Sequence, residues 1–274
     1  MDMKPTAMKP TALMPANSLE KILQKTDVWR ASDINHTNGI NSVSASTIST
    51  GYDQLNQYLA GSGWPTNSLT EFLLDTSGIG ELRLLTPALS QLSQEQNRWL
   101  LMVAPPYIPY APALSSMGID ISKVLVVTPK KSADTLWVLE KALASKSCSA
   151  VLAWPQQTLK DMQLRRFQVA CKAGHCLGVL FRHSRDASNA SPAELRIQLQ
   201  AHPASAFNQH SHLNLKILKR KGGWATEAFT LQLNDQLLQT TPEYHELNVN
   251  NQTRENDLSA QTIKHSGIKH YVLQ

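Results

Sequence analysis

The sequence predicts an α/β protein, with a mostly parallel central sheet flanked by helices and a C-terminal antiparallel extension. Three observations carry this. Short apolar runs alternate with helix-length segments from Ile48 to about Leu180, the order expected of strand–helix–strand units. The runs are mostly apolar, as expected of strands covered on both faces. After residue 190 the pattern changes to strict alternation of apolar and polar residues, which fits strands with one wet face.

Taken in order, strands are predicted at 70–74, 99–104, 123–127, 150–154 and 177–181, with helices at about 81–94, 110–117, 133–145 and 158–173. In the last helix Leu159, Met162, Phe167, Ala170 and Cys171 fall on or near one broad face, with Arg165 turned away, Arg166 within the arc and Gly174 as the stop. Leu195, Ile197 and Leu199 then alternate with Arg196, Gln198 and Gln200, and Leu213, Leu215 and Ile217 repeat the pattern. Gly222-Gly223 predicts a hairpin turn into Phe229, Leu231 and Leu233.

This domain spans 48–233 between two polar segments. Residues 1–47 hold a repeated MKPTA, a short helix from Ser18 to Leu23, an anchoring Trp29 and a polar linker, and residues 234–274 form a polar tail expected to be disordered. With 274 residues, 17% charged and 42% hydrophobic, the chain can bury a substantial core. Its net charge of +5 is equally compatible with an acidic partner, nucleic acid, or neither. Three cysteines without a C-x-x-C pair exclude a disulfide framework, and Cys171, His175 and Cys176 lack further zinc-spaced ligands. Neither a signal peptide nor a membrane span of roughly 18 apolar residues is evident, so a cytoplasmic location is expected.

The glycine turn after the first strand carries the most specific information. Ile48-Ser49-Thr50-Gly51, Gly63-Trp64-Pro65 and Leu69-Thr70-Glu71 lead into Asp75-Thr76-Ser77-Gly78-Ile79-Gly80-Glu81-Leu82. This resembles the opening of RecA-like ATPases, and the resemblance implies a RecA-like fold with a degenerate P-loop. A working phosphate loop needs lysine and then a hydroxyl after its last glycine. Here Glu81 and Leu82 stand at those positions. Two unit charges ~4 Å apart at an effective dielectric of ~20 interact by roughly 4 kcal/mol, so an anion beside a triphosphate is strongly opposed. Pro105-Pro106-Tyr107 and Trp154 occupy the other two catalytic places. No catalytic residue, cofactor or metal is expected.

From Gly63 to Gly223 the chain is similar to the ImuA family of translesion-synthesis accessory proteins. The carrying motifs are Gly78-Ile79-Gly80-Glu81-Leu82-Arg83-Leu84-Leu85 with Pro87-Ala88-Leu89, Ala104-Pro105-Pro106 with Pro109-Tyr110-Ala111-Pro112, Ala150-Val151-Leu152-Ala153-Trp154, and Leu218-Lys219-Arg220-Lys221-Gly222-Gly223. That resemblance implies a non-catalytic role in SOS mutagenesis, with RecA, ImuB and an error-prone C-family DNA polymerase as partners. The core also resembles SulA, the SOS inhibitor of cell division, at Arg98-Trp99, Lys123-Val124, Leu177-Gly178 and Phe181-Arg182. That alternative implies binding to FtsZ; a divergent ATPase is a second alternative. Arg165, Arg166, Lys219, Arg220 and Lys221 are the candidate contacts for acidic partners or DNA, against the plainer reading of solvated charge. Tyr107 and Tyr110, among prolines, are either a recognition loop or, as preferred here, a plug for the empty cleft.

Overall fold

The computed structural model describes residues 46–203 and 212–233, and the backbone of Lys269–Tyr271. The N-terminal tail, with its expected helix and the linker to residue 45, lies outside the described residues, as does the C-terminal tail apart from those three positions.

A two-stranded antiparallel ribbon, β1 (Thr47–Ile48) with β2 (Trp64–Pro65), encloses a short helix α1 (Asp53–Asn56). The chain then alternates β3 (Leu69–Leu74), α2 (Glu81–Glu95), β4 (Trp99–Val103), α3 (Ala111–Ser116), β5 (Val124–Val127), α4 (Ser132–Ala144), β6 (Cys148–Ala153), α5 (Asp161–Gly174) and β7 (Leu177–His183). It continues through β8 (Leu195–Ala201), β9 (His212–Lys219), β10 (Phe229–Gln232) and β11 (Lys269–Tyr271). Nine strands form one sheet in the order β10-β9-β8-β3-β7-β6-β4-β5-β11. Pairing is parallel from β8 to β11 and antiparallel across β8–β9 and β9–β10. Three residues of the tail that the sequence leaves irregular thus close the β5 edge.

The switch in hydrophobic period has a direct cause. In β4 and β6, Leu100, Met102, Ala150 and Leu152 enter the core under α2, while Leu101, Val103, Val151 and Ala153 enter the core under α4 and α5. Both faces are buried, hence the unbroken apolar runs. In β8–β10, Ile197, Leu199, Leu213, Leu215, Ile217 and Leu231 all join the α2-side core, leaving the other face polar.

Two local devices keep the helices in place. Pro87 lies inside α2 and cannot donate to the Arg83 carbonyl one turn earlier. The Tyr52 hydroxyl donates to that oxygen instead, at 3.1 Å. At the end of α5 the left-handed residue is His175, not Gly174. Gly174 is needed for a different reason: a Cβ there would stand 1.9 Å from the Leu143 carbonyl oxygen. Arg98 caps the same helix end, donating to the Gly174 and His175 carbonyls at 2.6 and 2.9 Å.

The RecA-like assignment with a degenerate P-loop is corrected. The sheet is mixed, because β9 runs against the other strands, with β10 turning back beside it. The turn after β3 is not a worn phosphate loop left open, because Glu81 closes it from within. Met162 is also misplaced by the helical pattern, being exposed on α5 rather than buried. Among the described residues no helix is long and apolar enough to cross a membrane.

Candidate protein-docking surface

The carboxyl ends of β3, β6 and β7 open into a cleft of about 250 Å³ whose walls include Asp75, Ser77, Pro106, Trp154, His183 and Arg185. Ligands commonly sit at this edge of a parallel sheet.

At the start of α2, Glu81 is buried and turns back on the glycine turn. Its carboxylate accepts from Gly78 N at 2.8 Å and from Gly80 N at 3.1 Å. Amides at a helix start attract an anion, and here the chain supplies its own. Glu81 and Leu82 are therefore turn-forming residues together with Gly78 and Gly80.

The far wall rests on a buried charge cluster that the sequence reading missed. Glu71 is 0% exposed in the middle of β3. Its Oε1 accepts from Arg182 Nη1 at 2.8 Å and its Oε2 from Arg196 Nε at 2.7 Å. Arg182 Nη2 pairs with Asp186 at 3.0 Å, and Arg196 also donates to the carbonyls of Asp186 and Asn189. Two anions and two cations balance, and the remaining donors of Arg196 meet backbone carbonyls, as buried charges require. A signal was present: a lone glutamate inside LTEFLL, and arginines ending LGVLFR and opening the β8 alternation.

Beside this cluster, Asp75 accepts from the Ser184 hydroxyl, and His183 Nδ1 lies 3.5 Å from Asp75 Oδ1. His183 Nδ1 accepts from the Arg185 amide at 3.2 Å. The serine hydroxyl donates to the Asp75 carboxylate, with His183 Nδ1 3.5 Å from the serine oxygen.

Trp154 is buried and stacks flat on Phe181, with ring centroids 4.3 Å apart. Phe181 meets Phe72 edge-on, and Phe72 meets Trp64. The expected tyrosine plug is not formed. Tyr107, Ile108 and Tyr110 are 74%, 75% and 71% exposed on the loop after β4. Pro105, Pro106 and Pro109 restrict that loop through their fixed φ. Apolar side chains clustered in water are the feature by which interaction surfaces are recognised, which makes this loop the candidate.

The basic candidates separate into three kinds. Arg165 pairs with Asp161 at 2.7 Å and Arg166 with Glu140 at 2.5 Å, both on the surface. Lys219 Nζ donates to the Ser191 carbonyl at 2.8 Å. Arg220 turns inward, and Lys221 is exposed. The structure does not bring the Arg165–Arg166 pair and the Lys219–Lys221 cluster into one site. Cys148, Cys171 and Cys176 are buried thiols, and burial pushes Cys171 up to about 12. Among the described residues no group of three or more His, Cys, Asp or Glu side chains could hold a metal ion.

Residues 69–178 match the family described as "Cell division inhibitor SulA". The curated cell division inhibitors SulA of Yersinia pestis (strain Pestoides F) and Yersinia pseudotuberculosis serotype O:1b (strain IP 31758) are each 32% identical over 124 residues, covering 44% of this chain and 73% of theirs. The crystal structure of SulA from Pseudomonas aeruginosa aligns with 27% identity over 42% of this chain and 97% of that chain, with a TM-score of 0.35.

Proposed function

The chain belongs to the SulA family of cell division inhibitors, and from that membership we propose that it arrests division by binding FtsZ in the SOS response, without chemistry of its own. The observation that carries the reading is the exposed trio Tyr107, Ile108 and Tyr110, which lies within the matched residues 69–178. An inhibitor acting by contact needs an apolar anchor on its surface, and aromatic side chains supply the most area per ordered group. The cleft behind the loop, its amides already satisfied by Glu81, serves as the rigid base of the loop. A cytoplasmic location follows from the same partner.

The ImuA reading is set aside. The family that matches is SulA, and with this correction RecA, ImuB and the C-family polymerase lose their support as partners. No observation favours the divergent ATPase.

The test is sedimentation of purified FtsZ assembled with GTP. The wild-type chain is expected to deplete the pelleted polymer, and the Tyr107→Ala/Tyr110→Ala variant to leave it intact. Undiminished polymer at saturating wild-type chain would overturn the proposal, as would co-purification of RecA and polymerase subunits in place of FtsZ from damaged cells.

A further inference from the structure

The turn between β9 and β10 presents Trp224, 84% exposed. The backbone that carries this indole is held in place. Arg220 donates from Nε to the Trp224 carbonyl at 2.9 Å and from Nη1 to the Tyr58 carbonyl. Its guanidinium lies 6.0 Å from the centre of the Tyr58 ring, and that ring stacks on Phe229 at 4.7 Å. Gly222, at φ +68°, turns the chain, and Arg220 and Gly223 form an antiparallel bridge. A Cβ on Gly223 would stand 2.5 Å from Arg220 Nε and 2.8 Å from its Cζ. A side chain at this position would push the guanidinium off the backbone it holds.

This arrangement divides the basic cluster. Arg220 is engaged internally by two carbonyls, and Lys219 reaches the Ser191 carbonyl. Lys221 remains as an exposed cation beside the indole, and Glu227 is the one acid in residues 219–228. Binding to nucleic acid scales with the number of phosphates neutralised, and the planar fork best suited to phosphate is occupied here. One indole also offers a single stacking platform, where strand-tracking proteins use several. A protein pocket fits better. A tryptophan on a held backbone leaves only its side-chain rotamer to be ordered on docking, and it is among the residue types that dominate interface energies.

We propose that Trp224 anchors a second protein-docking site, whose partner presents an apolar pocket rimmed by carboxylates, with Arg220 and Gly223 as its positioning residues. The site is independent of the FtsZ reading. It lies outside the matched residues 69–178, and Lys219 pairs with Arg196 near the start of β8. The tip therefore leaves the sheet at the end opposite the cleft.

The experiment places a photo-cross-linking amino acid at the exposed Ala225 of the full chain in cells, then measures affinity for the purified cross-linked protein. A single protein adduct joined through an acidic segment is expected, and Trp224→Ala should abolish it. Gly223→Ala and Arg220→Lys should each weaken binding by roughly tenfold at unchanged melting temperature, and should add little in the Trp224→Ala background. Lys221→Ala should slow association at low salt only. Absence of a discrete adduct overturns the proposal, as does binding indifferent to Trp224→Ala or Gly223→Ala. A nuclease-sensitive adduct also overturns it, in favour of nucleic acid.

Discussion

The loop after β4 and the turn after β9 both hold large apolar side chains in water, at opposite ends of the sheet, and they are stiffened in different ways. Tyr107, Ile108 and Tyr110 depend on three neighbouring prolines, a restriction written into the local chain. Trp224 depends on an arginine clamp to Tyr58, 162 positions away, and on a glycine that makes room for it. The first surface should therefore tolerate substitutions at the Tyr58–Arg220 clamp, which leave its prolines and its base untouched. The second should fail when distant, non-contacting residues change. Exposed residues on one molecule can thus differ in what controls them.

The sharpest way to break the comparison is through the support the two regions share. Ser191 donates to Glu71 through its hydroxyl and accepts from Lys219 through its carbonyl, while Arg182 and Asp186 line the cleft. Glu71→Ala leaves two buried guanidinium groups without their common anion. A loss of about 3–5 kcal/mol is expected in urea unfolding, with both surfaces weakened together. A stability loss that spares one surface would show that the cluster does not brace both. Next in size, Tyr107→Ala/Tyr110→Ala should weaken FtsZ binding by tenfold or more, with unfolding free energy unchanged within about 0.5 kcal/mol. Binding at the second partner should not change.

Most elements were legible because their causes are local. The apolar runs at β3 to β7 and the alternation at β8 to β10 record burial on two faces or one, and the strands fall where the pattern places them. The sites were less legible because their causes are distant. Tyr107 and Tyr110 were expected to fill a cleft, yet Trp154 already packs flat on Phe181 there. Arg220 was expected to face a partner, yet its partners are the carbonyls of Tyr58 and Trp224. Glu81 was read as an anion in a cation's place within a degenerate P-loop, whereas its bonds to Gly78 and Gly80 N–H make it the residue that closes the turn, which needs the geometry to be seen. A sequence shows which groups a side chain carries; which of them are already satisfied inside the molecule depends on the fold.

The smaller effects test that distinction. Glu81→Ala should cost about 1–2 kcal/mol, because it strips an acceptor from part-buried amides. The exposed ion pairs should matter least. Arg165 meets Asp161 one helical turn away on α5, and Arg166 reaches across to Glu140 on α4, each with its guanidinium largely in water. Such pairs contribute about 0.2–1 kcal/mol, less at high salt. Arg165→Ala and Arg166→Ala should shift the urea midpoint only slightly and leave FtsZ binding unchanged. If either abolished binding while stability held, the α4–α5 face would replace the β4 loop as the docking surface, since a cation already matched by a neighbouring carboxylate has little left to offer unless the partner displaces that carboxylate.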